Sequence, residues 1–226
     1  MKNRKVIIII VLSVVLIVSV ILYFFCKNNY KTIDLGNNIN KSAEGIENYI
    51  LNISSYEAKA TIEVHSNKNT NKYVVQQQFA MPNIFKQEVI EPSNIQGLKT
   101  IYDGKTLKIE NTQLNLSKIY EDYEYIADNS LCLEQFIEDY KQSDESKYEE
   151  KNNQVIMHLK KKDSKNKYVM YKNLYIDKNT AKPLKMEIHD INQKMLVYIL
   201  YNEIKIDSTS KEEILAFNLK TINSNI

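Results

Sequence analysis

The chain has 226 residues, of which 30 are basic and 28 acidic, so its formal net charge is only +2. Without the N-terminal cations Lys2, Arg4 and Lys5, 27 basic residues face the same 28 acidic residues. Nucleic-acid binding needs a basic footprint, so we exclude nucleic acid as a partner. The two cysteines, Cys26 and Cys132, are too few for a disulfide framework. Stability must therefore come from a packed core, for which a body of about 200 residues suffices.

The N-terminal segment carries the strongest hydrophobic signal. Residues 6–25 are apolar except for Ser13, Ser19 and Tyr23, and none of these three is charged. An apolar helix of about 20 residues spans the roughly 30 Å hydrocarbon core of a bilayer. Cations before such a helix keep the N-terminus in the cytoplasm. Nothing later in the chain is hydrophobic enough to span again, so we expect one membrane segment and a body outside the cytoplasm.

Cys26 closes this segment, and two fates are open for it. An uncleaved anchor is the first, because a secretory signal normally has a shorter apolar stretch and small residues before its cut. A lipidated Cys26 is the second, although lipoprotein cleavage requires a small residue where Phe25 stands. The body is held at the membrane in both cases. We expect an anchor or signal at 1–26, a tether at 27–41, a folded domain at 42–220 and a tail at 221–226.

Two segments of the body have helical periodicity. Apolar residues spaced by three and four positions predict a helix at 42–53, with Ser42 as its N-cap. The same spacing predicts a second helix that ends before Asp144. The residues that form the two stripes are Ile46, Tyr49, Ile50 and Ile53 in the first helix, and Leu131, Leu133, Phe136, Ile137 and Tyr140 in the second.

An alternation with period two fills most of the remaining sequence and predicts about ten strands, each with one buried face. Asp103-Gly104 is a strong hairpin signal, and short turns favour pairing between consecutive strands. We therefore predict a mainly β fold with helices (α+β): an open, half-closed antiparallel β-barrel covered by the two helices. The strands are expected at 56–64, 73–81, 84–90, 98–102, 106–109, 114–119, 154–160, 168–176, 184–189 and 195–201, with a last one at 214–219.

An ordered set of short motifs runs through this body. They are Ser55-Tyr56-Glu57-Ala58, Gln78-Phe79-Ala80-Met81-Pro82, Glu91-Pro92, Tyr102-Asp103-Gly104-Lys105-Thr106-Leu107, Tyr175-Ile176-Asp177-Lys178-Asn179-Thr180 and Lys182-Pro183-Leu184-Lys185. The succession resembles the outer-membrane lipoprotein carrier and lipoprotein-sorting (LolA-like) superfamily. Within it, the chain is similar to the clostridial germination lipoproteins of the GerS kind. The resemblance implies a non-catalytic protein in the spore envelope of a Gram-positive bacterium that supports a cortex N-acetylmuramoyl-L-alanine amidase.

The concave face of the predicted sheet is the first candidate site. Apolar side chains from several strands are expected to point into it, and they have two interpretations. They either fill the barrel as core or line an apolar cleft for acyl chains. The residues are Ile62, Val64, Phe79, Val89, Ile101 and Leu107.

Two charged segments are candidate contact surfaces. Tyr120, Tyr123 and Tyr125 alternate with the acidic residues Glu121, Asp122 and Glu124. They form either a solvated loop whose tyrosines lie against the sheet or a partner epitope, since tyrosine is favoured at interface anchors. The basic run Lys160, Lys161, Lys162, Lys165 and Lys167 is either a charged turn that protects a sheet edge or a contact for anionic lipid or wall polymer.

The sequence shows no catalytic constellation. His65, His158 and His189 fall in predicted strands without metal-ligand spacing, and His189-Asp190 has no nucleophile elbow to accompany it. Cys132 is expected to pack as a buried thiol. The acidic residues of the second helix, Glu134, Glu138 and Asp139, are expected to form a solvated face. We therefore predict no catalytic residue, no metal, no cofactor and no enzymatic activity.

Two hypotheses for the function remain open, besides a hydrolase without an identified nucleophile. The first is a membrane-anchored, extracytoplasmic, non-catalytic binding and regulatory protein whose partner is the cortex amidase. The second is a lipid or lipoprotein carrier or sensor that uses the apolar concave face.

Overall fold

The computed structural model describes residues 42–111, 113–123, 131–161 and 168–215. The expected anchor at 6–25, Cys26 and the tether lie outside these residues. Within the described ranges, no helix is both long and apolar enough to cross a bilayer.

The described residues form helices and strands close to the predicted ones. The helices are α1 (Ala43–Leu51) and α2 (Leu133–Gln142), with a 3-10 turn at Ser93–Ile95 and a helical segment at 211–215. The strands are β1 (Ser55–His65), β2 (Thr70–Ala80), β3 (Ile84–Glu91), β4 (Lys99–Tyr102), β5 (Leu107–Asn111), β6 (Leu116–Tyr120), β7 (Lys147–Lys151), β8 (Gln154–Lys160), β9 (Tyr171–Asp177), β10 (Pro183–His189) and β11 (Met195–Ile206).

All these strands belong to one antiparallel sheet in the order β6-β5-β4-β3-β2-β1-β11-β10-β9-β8-β7. Consecutive strands are neighbours within β1–β6 and within β7–β11, as the short turns predicted. The first and last strands pair in the centre of the sheet, from Tyr56 opposite Ile206 to Val64 opposite Val197. The strands next to the chain's middle, β6 and β7, are consequently the two edges. The mainly β, open antiparallel architecture with helices is confirmed.

Both helices pack on the same face of the sheet, which we call the inner face. Ser42 begins α1 as predicted, since its Oγ accepts a hydrogen bond of 3.0 Å from the backbone N–H of Gly45. Ile46 and Ile50 of α1 are fully buried in the main core. Leu133 and Phe136 of α2 are buried in the same core. The sheet contributes alternate residues to it, beginning with Tyr56, Ala58, Ala60 and Ile62 of β1.

Two elements differ from the sequence-based prediction. β7 was not predicted, because all five of its residues are exposed and it has no apolar alternation. Residues 211–215 are helical, so the strand predicted at 214–219 does not start at Ile214, and 216–219 lie outside the described residues. Ile214 is buried against Ala80 and Ile84, which lie on the face of the sheet opposite to the inner face. A single buried side chain on a helical turn explains the apolar signal that suggested a strand.

A buried ion pair joins α2 to the sheet. The Nζ of Lys172, on β9, lies 2.6 Å from Oδ2 of Asp139, on α2, and the Lys172 side chain is fully buried. Gln135 donates a further hydrogen bond of 3.0 Å to the other oxygen of Asp139. Removing one member of a buried pair leaves the other charge in a medium of low polarity. The pair therefore fixes where α2 lies on the inner face.

We expect Asp139→Ala to lower the free energy of unfolding by about 3–5 kcal/mol, because the buried Lys172 ammonium loses its carboxylate. Replacing both residues by apolar ones (Asp139→Leu with Lys172→Met) should recover most of the loss. Glu63→Gln is the control, since it breaks the exposed Lys72–Glu63 pair of 3.5 Å and should cost less than about 1 kcal/mol. Urea unfolding measures all three variants. Equal stability of Asp139→Ala and Glu63→Gln would contradict the structural role of the pair.

Candidate functional site

Five of the six side chains predicted to line the concave face lie on the inner face. Ile62, Phe79 and Val89 belong to the main core, and Val64 and Leu107 pack against it.

The sixth, Ile101, does not share that face, so its predicted orientation was wrong. It is buried, but its register partner is Lys86, whereas Phe85 and Tyr102 form the adjacent pair that belongs to the main core. Successive strand residues point to opposite faces. β4 is only four residues long, too short for its alternation to show which of Ile101 and Tyr102 faces inward.

The helices pack on the inner face beside β8. Side chains of α1 and α2 share one core cluster with the inward residues of the sheet. A small cavity of about 200 Å³ lies where the end of α1, α2 and the β2–β3 turn meet. Ligand pockets typically measure about 300–1,000 Å³, so this cavity is too small for an acyl chain. The residues that shape it include Leu51, Ile53, Phe79, Met81, Glu134 and Ile137.

The start of α2 buries a polar cluster that the sequence did not predict. The Tyr56 hydroxyl donates a 2.6 Å hydrogen bond to Oε2 of Glu134 and accepts one of 3.4 Å from the backbone N–H of Leu133. Glu134 and Asp139 are both buried, so the prediction of a solvated acidic face was wrong for them. Only Glu138 of the three acidic residues is exposed. Nothing in the sequence indicated this burial, because the partners of the two acids, Tyr56 and Lys172, lie on strands that are distant along the chain.

Burial dominates the electrostatics of this cluster. It raises the pKa of Glu134 to about 7, although the hydrogen bond from Tyr56 acts in the opposite direction. It also raises the pKa of the Cys132 thiol well above its usual value. Cys132 is free and buried, as predicted. A thiol with a raised pKa is a poor nucleophile, so the cluster is suited to holding α2 and not to covalent chemistry.

The three histidines lie in strands, as predicted, and are distributed over β1, β8 and β10. His158 Nδ1 lies 2.7 Å from Oδ1 of Asn173, and His189 Nδ1 lies 3.1 Å from the backbone oxygen of Gln193. His158 and His189 line a polar groove of about 660 Å³. Two glutamates and two lysines also line it, so the groove has no preference for a ligand of either charge. Among the described residues, no group of three or more potential ligands could hold a metal ion.

Two of the three tyrosines predicted as a partner epitope lie side by side. Tyr120 is exposed in β6, and its ring centroid is 6.1 Å from that of Tyr123. Tyr123 is partly buried, and its ring meets that of Tyr102 edge-on at 6.4 Å. Tyr125 and Glu124 lie outside the described residues. Tyr102, Tyr123 and Tyr120 thus connect the inner core to the sheet edge. This connection could not be predicted from the sequence without knowing that Tyr102 faces inward.

Exposed apolar side chains are concentrated beside Tyr120. We call this group the edge surface. It consists of Leu114, Leu116, Ile119 and Tyr120, which are 57%, 41%, 58% and 36% exposed. Leu116 and Tyr120 lie on one face of the β6 edge and Ile119 on the other, and exposed apolar groups close together at an edge commonly mark contact sites.

The neighbouring charges are solvated. Glu121 and Asp122 are exposed, and Asp122 pairs with Lys105 at 3.0 Å. Of the predicted basic run, Lys160 pairs with Glu145 at 2.7 Å, while Lys162, Lys165 and Lys167 lie outside the described residues. The interpretation of this run as a contact for lipid or wall polymer stays a prediction.

No family model and no curated protein matches the chain. Solved structures do match it. An uncharacterized conserved protein from Thermus thermophilus is 14% identical, with a TM-score of 0.50 over 76% of this chain and 92% of the other. The CwlD amidase–GerS lipoprotein complex from Clostridioides difficile gives a match of 24% identity and TM-score 0.46 over 71% and 91%. A LolA superfamily protein from Nitrosomonas europaea gives 11% and 0.41 over 76% and 96%.

These similarities concern the fold. The Thermus thermophilus protein shares the mainly β architecture described above, and the LolA-like assignment that the ordered motifs implied stays a prediction.

The Glu134 cluster should make stability depend on pH. The folded pKa of about 7 lies above the ordinary value of 4.5, so between these values the folded state holds a proton that the unfolded state releases. The free energy of unfolding should therefore fall by up to about 3 kcal/mol as pH rises through this window, and level off above it. Glu134→Gln, which keeps an acceptor for Tyr56, should remove this component. Urea unfolding at pH 4.5–8 measures it, and parallel pH profiles of wild type and variant would contradict the assignment.

Proposed function

We propose that the chain is a membrane-anchored, extracytoplasmic, non-catalytic protein that binds and regulates an enzyme acting on the cell wall, with a spore-cortex N-acetylmuramoyl-L-alanine amidase as its partner. The apolar side chains exposed at the sheet edge carry this proposal. Side chains of α1 and α2 share one core with the inner face, which supports binding at the edges rather than inside the sheet.

The exposed edge surface supports a protein partner in particular. Tyrosine and other large apolar side chains are the usual anchors of protein interfaces. Here they are exposed around β6, and the ring of Tyr120 packs against that of Tyr123, which in turn contacts Tyr102. These ring contacts restrict the Tyr120 side chain, which reduces the entropy lost on binding.

The choice of an amidase as partner rests on the ordered motifs of the sequence, and the membrane location rests on residues 6–25. A protein fixed to a membrane on its outer side can concentrate and orient an enzyme that works on the adjacent wall. Cys26 serves this location whether it ends an uncleaved anchor or carries lipid.

Binding to the amidase is the direct test. We expect the full-length chain, coexpressed with the cortex amidase from the same organism and purified in detergent, to elute as one complex and to change the rate of amide cleavage in cortex peptidoglycan. A Tyr56→Ala variant, which should disturb the packing of α2 on the sheet, tests whether complex formation depends on the folded structure. Separate elution together with an unchanged cleavage rate would overturn the proposal.

The packing of the helices on the inner face also leads to a prediction about lipid. We expect native mass spectrometry of the purified body, residues 27–226, to give the mass of the bare polypeptide, because the cavity of about 200 Å³ beside α1 and α2 cannot enclose an acyl chain. A stoichiometric adduct with the mass of a phospholipid or fatty acid would favour the carrier hypothesis instead.

A further inference from the structure

The geometry of the sheet points to the manner of binding. We propose that the partner adds an extended strand to the free side of β6, antiparallel to it, with an acidic residue opposite Lys118 and apolar residues beside it. This inference rests on the proposed binding function and specifies which surface performs it.

β6 offers a complete template for an added strand. It pairs with β5 from Leu107 opposite Tyr120 to Asn111 opposite Leu116. Among the described strands, none pairs with its other side. The backbone N–H and C=O groups of an edge strand remain available to a further strand. An antiparallel addition would continue the pairing pattern of the whole sheet.

The side chains of β6 attract an added strand on both faces of the sheet. Leu116, Lys118 and Tyr120 alternate with Ser117 and Ile119, so Leu116 and Tyr120 project on one face and Ile119 on the other. All three are exposed. A strand laid beside β6 would cover apolar surface on both faces while forming its backbone hydrogen bonds.

The opposite edge of the sheet, β7, is protected against the pairing of a further strand. β7 reads Lys147-Tyr148-Glu149-Glu150-Lys151, with four charges in five residues. Charged side chains are the usual means by which edge strands resist pairing. β6 has a single charge, Lys118, in five residues. The two edges of one sheet therefore differ, and only β6 is suited to receive a strand.

Lys118 determines the chemistry of the added strand. It stands at the centre of β6, with its Nζ 5.0 Å from the centroid of the Tyr120 ring. A second copy of the chain, paired antiparallel about this centre, would bring Lys118 opposite Lys118, and like charges in that position destabilise a pair. A partner strand with Glu or Asp there gains a cross-strand attraction instead. The charge thus favours a partner strand over self-association.

Three single variants test the inference in the complex of full-length chain and amidase. Ile119→Lys and Lys118→Glu change exposed side chains of β6, and each should weaken binding about tenfold. Tyr148→Lys adds the same charge to the exposed β7 edge and should leave the affinity unchanged. In hydrogen exchange, the amides of β6 should become protected in the complex. Wild-type affinity of both β6 variants, or protection confined to β7, would overturn the inference while leaving the proposed function intact.

A peptide separates this inference from the identity of the partner. The blocked peptide Thr-Val-Ile-Glu-Thr-Val-Thr can place its Glu opposite Lys118, and it should protect the β6 amides of the full-length chain. The same peptide with Lys in place of Glu should bind about tenfold more weakly to the wild type and more strongly to Lys118→Glu. If the amidase does not bind at all, the proposed function fails. The peptide measurement then tests by itself whether β6 accepts an added strand. Equal binding of both peptides, no protection of β6, or a dimer that buries β6 would each overturn the inference.

Discussion

The position of α2 on the inner face is the constraint on which the rest of the structure depends. A curved sheet with one apolar face must cover that face, and α2 does so with Leu133, Phe136 and Ile137. Apolar packing alone would allow the helix to slide. The Lys172–Asp139 ion pair and the Tyr56–Glu134 hydrogen bond connect its two ends to different strands. Once α2 is fixed there, the apolar side chains that it covers belong to the core and are not available to a ligand.

Buried polar groups have a cost that explains their placement. Tyr56, Glu134 and Lys172 lose their hydration on folding, and only specific partners compensate for that loss. The Oε1 atom of Glu134 and the Tyr201 hydroxyl have no hydrogen-bond partner among the described residues. An apolar helix–sheet contact would be more stable by this reasoning. The polar contacts restrict α2 to a single position on the sheet, because each of them can form in only one placement of the helix.

Most of the fold could be predicted from the sequence because its signals are local. The stripe of Ile46 and Ile50 and the alternation in β1 follow directly from the periods of helix and strand. The serine at the N-cap and the glycine in the hairpin indicate the backbone conformation of the residues next to them. The motif order suggested a LolA-like arrangement for the whole body. Local signals failed where the packing is unusual: β7 has no buried face, and Ile214 packs singly on the outer side of the sheet.

The candidate site could be predicted only in part, because it depends on distances across the chain. Tyr120 and Tyr123 were recognised because they lie in a tyrosine-rich acidic segment. The ring contact between Tyr123 and Tyr102 depends on which face of β4 is buried. That face was assigned wrongly for Ile101. The acidic residues of α2 were misinterpreted for the same reason, since the partner of Asp139 is 33 residues away and that of Glu134 is 78 residues away. The free side of β6 is a property of sheet order, which no local pattern of β6 contains.

Sheet order also gives the edge surface its accessibility. Because β1 pairs with β11, both ends of the folded body lie at central strands, and the middle of the chain supplies the edges. β6 is five strand positions from β1, or roughly 24 Å across the sheet at about 4.8 Å per strand. The helices α1 and α2 pack beside β8, near the β7 edge, whereas β6 is the other edge of the sheet. A partner strand at β6 would therefore bind without displacing α1 or α2.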